Sequence, residues 1–223
     1  EMQSQDFQPD VTSYNAAISA CEKAGEHELA LQLLREIHVH GLQPTVVSYN
    51  SAISACEKAG EFELALTLLK EMQELDLTPN LISYNATISA CEKAGQVEVA
   101  LRLLSEIQAQ GLQRDGITYN SMISACRRVA AWDLAMQMLE GMCAEWVIPD
   151  LVTFASVLTA CEISQAPKNI TCLVLTKLPA NLRGILTLAG SDCANSGDQF
   201  LLESLKECSH GRGDPYPGAA RLL

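Results

Sequence analysis

The chain has 223 residues, of which 48% are hydrophobic and 19% are charged, which is enough apolar material for a packed core and too much for an intrinsically disordered chain. The formal net charge is −12, so the molecule as a whole does not attract polyanions, and any nucleic-acid binding must be local. Aromatic residues make up only 5%, and the abundance of small and aliphatic side chains favours an all-α fold.

The cysteines argue against a disulfide framework and against a zinc site. Nine cysteines are an odd number, and no two of them have the C-x-x-C spacing. The most apolar stretch, residues 170–188, is interrupted by Lys177, Pro179 and Arg183. The sequence therefore predicts no transmembrane helix and no membrane partner.

A 35-residue repeat dominates the chain from its first residues. Ser-Tyr-Asn at 13–15 returns at 48–50 and 83–85, then as Thr-Tyr-Asn at 118–120 and Thr-Phe-Ala at 153–155. One cysteine recurs in step, at Cys21, Cys56, Cys91, Cys126 and Cys161. Repeats of this length are typical of stacked supersecondary units, because one unit cannot bury its apolar face alone.

Each repeat has the pattern of two helices. Tyr14, Ile18 and Cys21 follow helical spacing in the first half, and Ala30, Leu33/Leu34 and Ile37 follow it in the second. The first helix is predicted over roughly 12–24, before Gly25, and the second over roughly 27–40, before Gly41 and Pro44. The recurring cysteine shares the apolar stripe, so it is predicted to be a core residue rather than part of a metal array.

Polar residues recur on another face of the first helix, at spacings of three and four. An asparagine row consists of Asn15, Asn50, Asn85 and Asn120. A cation row follows on the same face, at Lys23, Lys58, Lys93 and Arg128. Asparagine in the first turn of a helix is also a common cap, so a purely structural role for the asparagine row stays open.

These repeated residues resemble the pentatricopeptide repeat (PPR) family, whose consensus is close to V-V-T-Y-N-T-L-I…C-K-A-G…A-L-x-L-F-x-E-M…G-x-x-P-D. The resemblance covers residues 1–162 and implies an all-α fold, a right-handed α-solenoid of helix-turn-helix hairpins. It divides the chain into the end of a preceding repeat (1–10), four full repeats (11–45, 46–80, 81–115 and 116–150), the first helix of a fifth (151–162), and a non-repeat tail of unknown role (163–223). Since 1–10 would complete a repeat that begins earlier, we expect the chain to belong to a longer array.

The resemblance also implies a role for each row. RNA would lie along the first helices, one nucleotide per repeat, with each base between side chains of a sandwich row. That row is Thr12, Val47, Ile82, Ile117 and Val152. The asparagine row, together with the last residue of each repeat, would contact the base edge. The last residues form the loop-end row, Thr45, Asn80, Asp115 and Asp150.

The cation row is predicted to contact phosphates, which position a nucleic acid without specifying its sequence. Residues 1–162 carry 9 Lys and Arg against 22 Asp and Glu, so the repeats themselves are acidic. Many of the acidic residues fall on second helices, away from the expected groove, and screening limits their effect there. We therefore expect modest affinity that depends strongly on base contacts.

The pairs of base-contacting residues predict a pyrimidine sequence. Asparagine with aspartate suits the uracil edge, whereas a loop-end residue that both donates and accepts tolerates cytosine. With the parallel polarity of the family, the expected sequence is 5′-Y-C-U-U-3′.

No catalytic signature or cofactor site is predicted. Some PPR proteins carry a zinc deaminase, yet the chain has neither H-x-E nor C-x-x-C, and no small-molecule substrate is predicted. The tail has two candidate helices, at 168–177 and 199–208. The leading hypothesis is a non-enzymatic adaptor for single-stranded RNA, with catalysis supplied by protein partners, in a chloroplast or mitochondrion as the resemblance implies. The alternative is a helical scaffold of the tetratricopeptide type that binds a protein or peptide.

Overall fold

The computed structural model describes residues 9–167, 170–171 and 173–174. This part of the chain is all-α, with nine complete helices and no strand. In chain order they are α1 Val11–Ala24, α2 His27–Val39, α3 Val46–Ala59, α4 Phe62–Glu74, α5 Leu81–Lys93, α6 Val97–Ala109, α7 Gly116–Arg128, α8 Trp132–Ala144 and α9 Leu151–Ile163. The helix bounds predicted for the first repeat agree with α1 and α2 to within one residue.

Local sequence signals set the helix ends. Every odd-numbered helix begins after a residue whose side chain accepts a hydrogen bond from the backbone N–H three positions on, as Asn80 does from Ser83. The turn after α1 passes through Gly25 at a φ of 77°, a left-handed conformation that glycine adopts without steric cost. Glu26 N–H then bonds to the Cys21 carbonyl at 3.0 Å, which closes the helix and lets α2 fold back.

The helices form two layers. The odd-numbered helices pack on one another in sequence, α1 on α3 through to α7 on α9, whereas each even-numbered helix packs on the odd-numbered helices before and after it. The odd-numbered helices contact one another more extensively than the even-numbered helices do, so they form the inner layer of an α-helical solenoid. The predicted helical solenoid is confirmed.

The apolar stripes predicted from the repeat are buried between the layers. Tyr14, Ile18, Ala30 and Ile37 are all at most 5% exposed. The recurring cysteines are 0–8% exposed and free, which confirms them as core residues. Within the described residues no group of three metal-ligating side chains is close enough to hold an ion.

The tail is described only in part. Of the candidate helix 168–177, residues 170–171 and 173–174 are helical, and Val174 is buried against the core formed with α7 and α9. The candidate helix 199–208 lies outside the described residues. No helix in the described ranges is long and apolar enough to cross a membrane.

Candidate nucleic-acid interface

The residues that cap the odd-numbered helices are the loop-end row. Asp10 precedes α1, and the side chains of Thr45, Asn80, Asp115 and Asp150 cap the four helices that follow. The asparagine row lies five residues further on and is not the cap, so the structural alternative based on capping by these asparagines is wrong. Each loop-end residue thus combines a structural role with its predicted base contact.

The asparagine row and the loop-end row come together across successive repeats. Asn15 Nδ2 lies 3.4 Å from Thr45 Oγ1, Asn50 Nδ2 lies 3.3 Å from Asn80 Oδ1, and Asn85 Nδ2 lies 3.1 Å from Asp115 Oδ1. In the fourth pair, Thr153 Oγ1 lies between the two side chains, 2.7 Å from Asn120 Oδ1 and 2.8 Å from Asp150 Oδ1. The tertiary structure therefore brings together the two residues that were predicted to act on the same base.

A third set of residues, which sequence analysis did not assign, holds each pair. This hydroxyl row consists of Ser48, Ser83, Thr118 and Thr153, all at most 1% exposed. Thr118 Oγ1 donates to Asn85 Oδ1 at 2.7 Å, and its backbone N–H donates to Asp115 Oδ1 at 2.8 Å. The hydroxyls occupy the amide oxygens and fix the amide orientation. In the sequence, these hydroxyl residues recur as the Ser or Thr that precedes Tyr-Asn, or Phe-Ala in the case of Thr153, and this recurrence could have identified them.

Hydrogen bonds also set the protonation of the loop-end aspartates. Burial is the largest influence on Asp115 and raises its pKa, but bonds from Thr118 and Asn85 together outweigh it and leave the pKa below its usual value. For Asp150 the backbone N–H of Thr153 is the main cause of a lowered pKa. Both groups are therefore carboxylates at neutral pH, able to accept but not to donate.

The sandwich row is exposed, although most of its members are large aliphatic residues. Val47, Ile82, Ile117 and Val152 are 58–63% exposed, and Thr12 is also exposed. Between α5 and α7 a concavity of about 350 Å³ is lined by Ile82 and Ile117, with Asn85 and Asp115. One repeat interface thus combines two exposed apolar side chains with the amide–carboxylate pair.

Three members of the cation row are paired with acidic residues of the preceding repeat. The Nζ atoms of Lys58 and Lys93 lie 3.0 and 2.6 Å from Glu22 and Glu57, and Arg128 Nε lies 2.7 Å from Glu92. These three acids form the glutamate row, which also accepts hydrogen bonds from Ser54, Ser89 and Ser124 at 2.9–3.0 Å. Lys23 is exposed and has no ion pair within the described residues. The predicted phosphate contacts of this row stay a prediction.

Family models match the repeats directly. A pentatricopeptide repeat domain model matches residues 1–59 and 34–94, a PPR repeat family model matches 79–128, and a PPR repeat model matches 117–147. The chain belongs to the pentatricopeptide repeat family. A comparison of this PPR chain with curated protein sequences gave no significant match.

Solved PPR structures share the fold at low sequence identity. PPR10 from maize is 23% identical with a TM-score of 0.69, over 83% of this chain and 26% of PPR10. PPR10 in complex with an 18-nt psaJ RNA element is 22% identical with a TM-score of 0.73, over 95% of this chain and 30% of PPR10. The PPR domain of Arabidopsis thaliana protein-only RNase P 1, in complex with tRNA, is 18% identical with a TM-score of 0.69, over 86% of this chain and 96% of that domain. The PPR chain described here therefore spans less than a third of PPR10.

Proposed function

We propose that the chain binds single-stranded RNA along its inner helical layer, one nucleotide per repeat, as a PPR adaptor without catalysis of its own. The observation that carries this proposal is the concavity between Ile82 and Ile117, which is lined by Asn85 and Asp115. Its volume lies within the range of about 300–1,000 Å³ that is usual for small-ligand sites. The RNA complexes of two structurally similar PPR proteins support the same assignment.

The sandwich row supplies the stacking surfaces. Single-stranded RNA is recognised through unstacked bases that lie against flat or apolar side chains and are hydrogen-bonded on their edges. Ile82 and Ile117 are 63% and 62% exposed in an acidic chain, and a base packed between them would remove this apolar surface from water. We assign one base to the space between each two successive members of this row.

The paired polar side chains provide the edge contacts. The Asn85 amide uses its oxygen on Thr118 and one N–H on Asp115, which leaves its second N–H for a base carbonyl. The Asp115 carboxylate retains acceptor capacity for the N3–H of uracil. The third and fourth repeats are therefore assigned to uracil, the second to cytosine and the first to either pyrimidine, giving 5′-Y-C-U-U-3′.

In this proposal the electrostatic attraction between the cation row and the RNA backbone is weak. The side chains of Lys58, Lys93 and Arg128 are 37–47% exposed and so remain able to touch phosphates, but the glutamate row offsets their charge. Base contacts then decide which RNA is bound. We place the biological role in processing, stability, editing or translation of an organellar transcript, with catalysis supplied by protein partners.

Fluorescence anisotropy with labelled single-stranded RNA tests the proposal. The probes are a 12-mer with the central sequence UCUU, the same 12-mer with GAGG at its centre, and the four homopolymers, all at low salt. We expect saturable binding to UCUU and weaker binding to the purine control. Absence of saturable binding to every RNA would reject the function and favour the peptide-binding alternative.

A substitution at one repeat tests the pairing scheme. By analogy with the family, Asn85→Thr is expected to move the preference at the third base from U toward G. Selection from a randomised RNA pool measures this, with the unsubstituted chain as the control. A mutant that still selects U, or a parent that selects purines, would contradict the scheme.

A further inference from the structure

The glutamate row ends with a reversal of charge. Glu22, Glu57 and Glu92 recur every 35 residues on α1, α3 and α5, and the next member of the series, on α7, is Arg127. Each glutamate accepts hydrogen bonds from a serine and a cation of the following odd-numbered helix, as Glu57 does from Ser89 and Lys93. At the interface between α7 and α9 this arrangement is not repeated.

The two positions of α9 that correspond to the serine and the cation of the other interfaces also hold different residues. Thr159 occupies the place of the serine, and its hydroxyl donates to the Ala155 carbonyl of its own helix at 2.7 Å. Ile163 occupies the place of the cation and is 58% exposed. Arg127 forms no ion pair with any carboxylate of the described residues. Its positive charge is therefore not offset as those of Lys58, Lys93 and Arg128 are.

The guanidinium of Arg127 has unused hydrogen-bonding capacity. Its hydrogen bond from Nη2 to Ser124 Oγ is long, at 3.4 Å, and its Nε–H is buried with no hydrogen-bond partner among the described residues. A charged donor that is removed from water without a partner is costly, so such a group calls for an explanation. Nε–H and Nη2–H lie on the same edge of a guanidinium group, and together they can donate two parallel hydrogen bonds to one phosphate.

Arg127 also lies on the face that carries the proposed base contacts. Asn120, Ser124 and Arg127 are separated by four and three residues on α7, so they share one side of the helix. The seven residues from Asn120 to Arg127 correspond to about 10 Å along the axis. A guanidinium at this place suits a backbone phosphate beside the base at Asn120.

We infer that Arg127 is a phosphate-binding residue for single-stranded RNA at the interface of α7 and α9, and that it contributes more to the salt dependence of binding than the paired cations do. This inference rests on the proposed function and deepens it, because it assigns the backbone contact to a residue outside the recurring cation row. Since phosphate contacts position an RNA without specifying it, Arg127 affects affinity and not base preference.

The experiment compares the dissociation constant of the full chain for the labelled UCUU 12-mer between 50 and 200 mM salt. One lost contact to single-stranded RNA lowers the salt slope by about 0.7, so Arg127→Gln should reduce the loss of affinity over this range by about 2.6-fold. Arg102→Gln, an exposed arginine of α6 in the other layer, is the control for the same change of charge and should leave the slope unchanged.

A second variant separates binding from stability. Arg127→Glu with Ile163→Lys rebuilds the Glu–Lys pair of the other interfaces, so it should keep the urea midpoint at or above that of the unsubstituted chain while it weakens RNA binding several-fold. In ¹⁵N-labelled protein, the Arg127 Nε–H resonance should shift when the 12-mer is added. Weaker RNA binding at a preserved urea midpoint would support the phosphate contact, and so would the shift of the Nε–H resonance.

The outcomes distinguish the inference from the proposed function. If the unsubstituted chain binds RNA but Arg127→Gln has the same salt slope, or changes the preferred base, the Arg127 assignment is wrong and the proposed function stands. An Nε–H resonance that does not move at saturation would also overturn the assignment. If the unsubstituted chain shows no saturable binding to any RNA, both are overturned.

Discussion

Asn85 Nδ2 lies 3.1 Å from Asp115 Oδ1, although the two residues are 30 positions apart and Asp115 precedes the next odd-numbered helix. The buried Thr118 hydroxyl lies between the two side chains, 2.7 Å from Asn85 Oδ1 and 2.8 Å from Asp115 Oδ1. The same three residues thus join one repeat to the next and present an amide and a carboxylate at the proposed base site. The proposed base contacts and the packing of one repeat on the next therefore depend on the same side chains.

Asp115→Asn is expected to change base preference without loss of the fold. Asparagine caps helices as well as aspartate does, and Asn80 already caps α5 in this chain. The substituted repeat then has the asparagine–asparagine pair of the second repeat, so selection from an RNA pool should return C in place of U at the third base. Asp115→Ala, which also removes the cap, should cost about 1 kcal/mol of unfolding free energy. Continued selection of U by Asp115→Asn would contradict the pairing scheme.

The pair Glu57–Lys93 is expected to stabilise the stacking of α3 on α5 only slightly. Its side chains are 18% and 37% exposed, so solvent screens the interaction. A double-mutant cycle with Glu57→Gln and Lys93→Met, followed by urea unfolding, should give a coupling free energy of about 0.5–1 kcal/mol at low salt that shrinks at high salt. Zero coupling at low salt would show that the pair does not contribute to the stacking.

Stability should fall in acid because the loop-end aspartates have lowered pKa values in the folded chain. Their contribution is fully present above the unfolded pKa of about 3.9 and is lost as pH falls through the lower folded pKa. Urea midpoints measured from pH 5 to pH 2.5 should therefore decrease below about pH 4. Asp115→Asn should flatten part of this decrease. An unchanged pH profile for that variant would show that Asp115 does not contribute to the loss of stability in acid.

The core cysteines should resist alkylation while the chain is folded. Burial raises the pKa of the Cys56, Cys91 and Cys126 thiols to about 11, so at pH 8 they are both inaccessible and protonated. Cys143 is exposed on α8. Iodoacetamide labelling followed by peptide mass spectrometry should modify Cys143 in the folded chain, and the core cysteines only after addition of urea. Rapid labelling of Cys91 in the folded chain would contradict the packing.

Gly141→Ala is expected to stabilise the chain by about 0.5–1 kcal/mol, because Gly141 lies inside α8, where glycine costs backbone entropy. An added Cβ would meet the Tyr119 hydroxyl at 3.4 Å, an ordinary contact. Gly111→Ala is the matched control. Gly111 has a φ of 69°, a conformation that alanine disfavours, so that variant should be less stable. Thermal unfolding of both variants measures the difference, and a loss of stability in Gly141→Ala would indicate crowding against Tyr119.

Local sequence patterns were sufficient to predict the helices of the repeats and the residues that fill the core. Because the 35-residue period is regular, apolar spacing predicted Tyr14, Ile18 and Ala30 as core residues, and Gly25 marked the end of the first helix. These features depend on neighbours within one or two helical turns, which a local pattern contains.

The contacts between polar residues of different repeats depend on tertiary packing. Lys58 follows Glu57 in the chain but is paired with Glu22, 36 residues earlier, and the buried Thr118 hydroxyl bonds to Asn85, 33 residues earlier. Such partners are fixed by how one helix lies against the next, and helical spacing within a single repeat does not contain that information. For the same reason the packing of α7 on α9, and not the repeat pattern, leaves Arg127 without a carboxylate partner among the described residues.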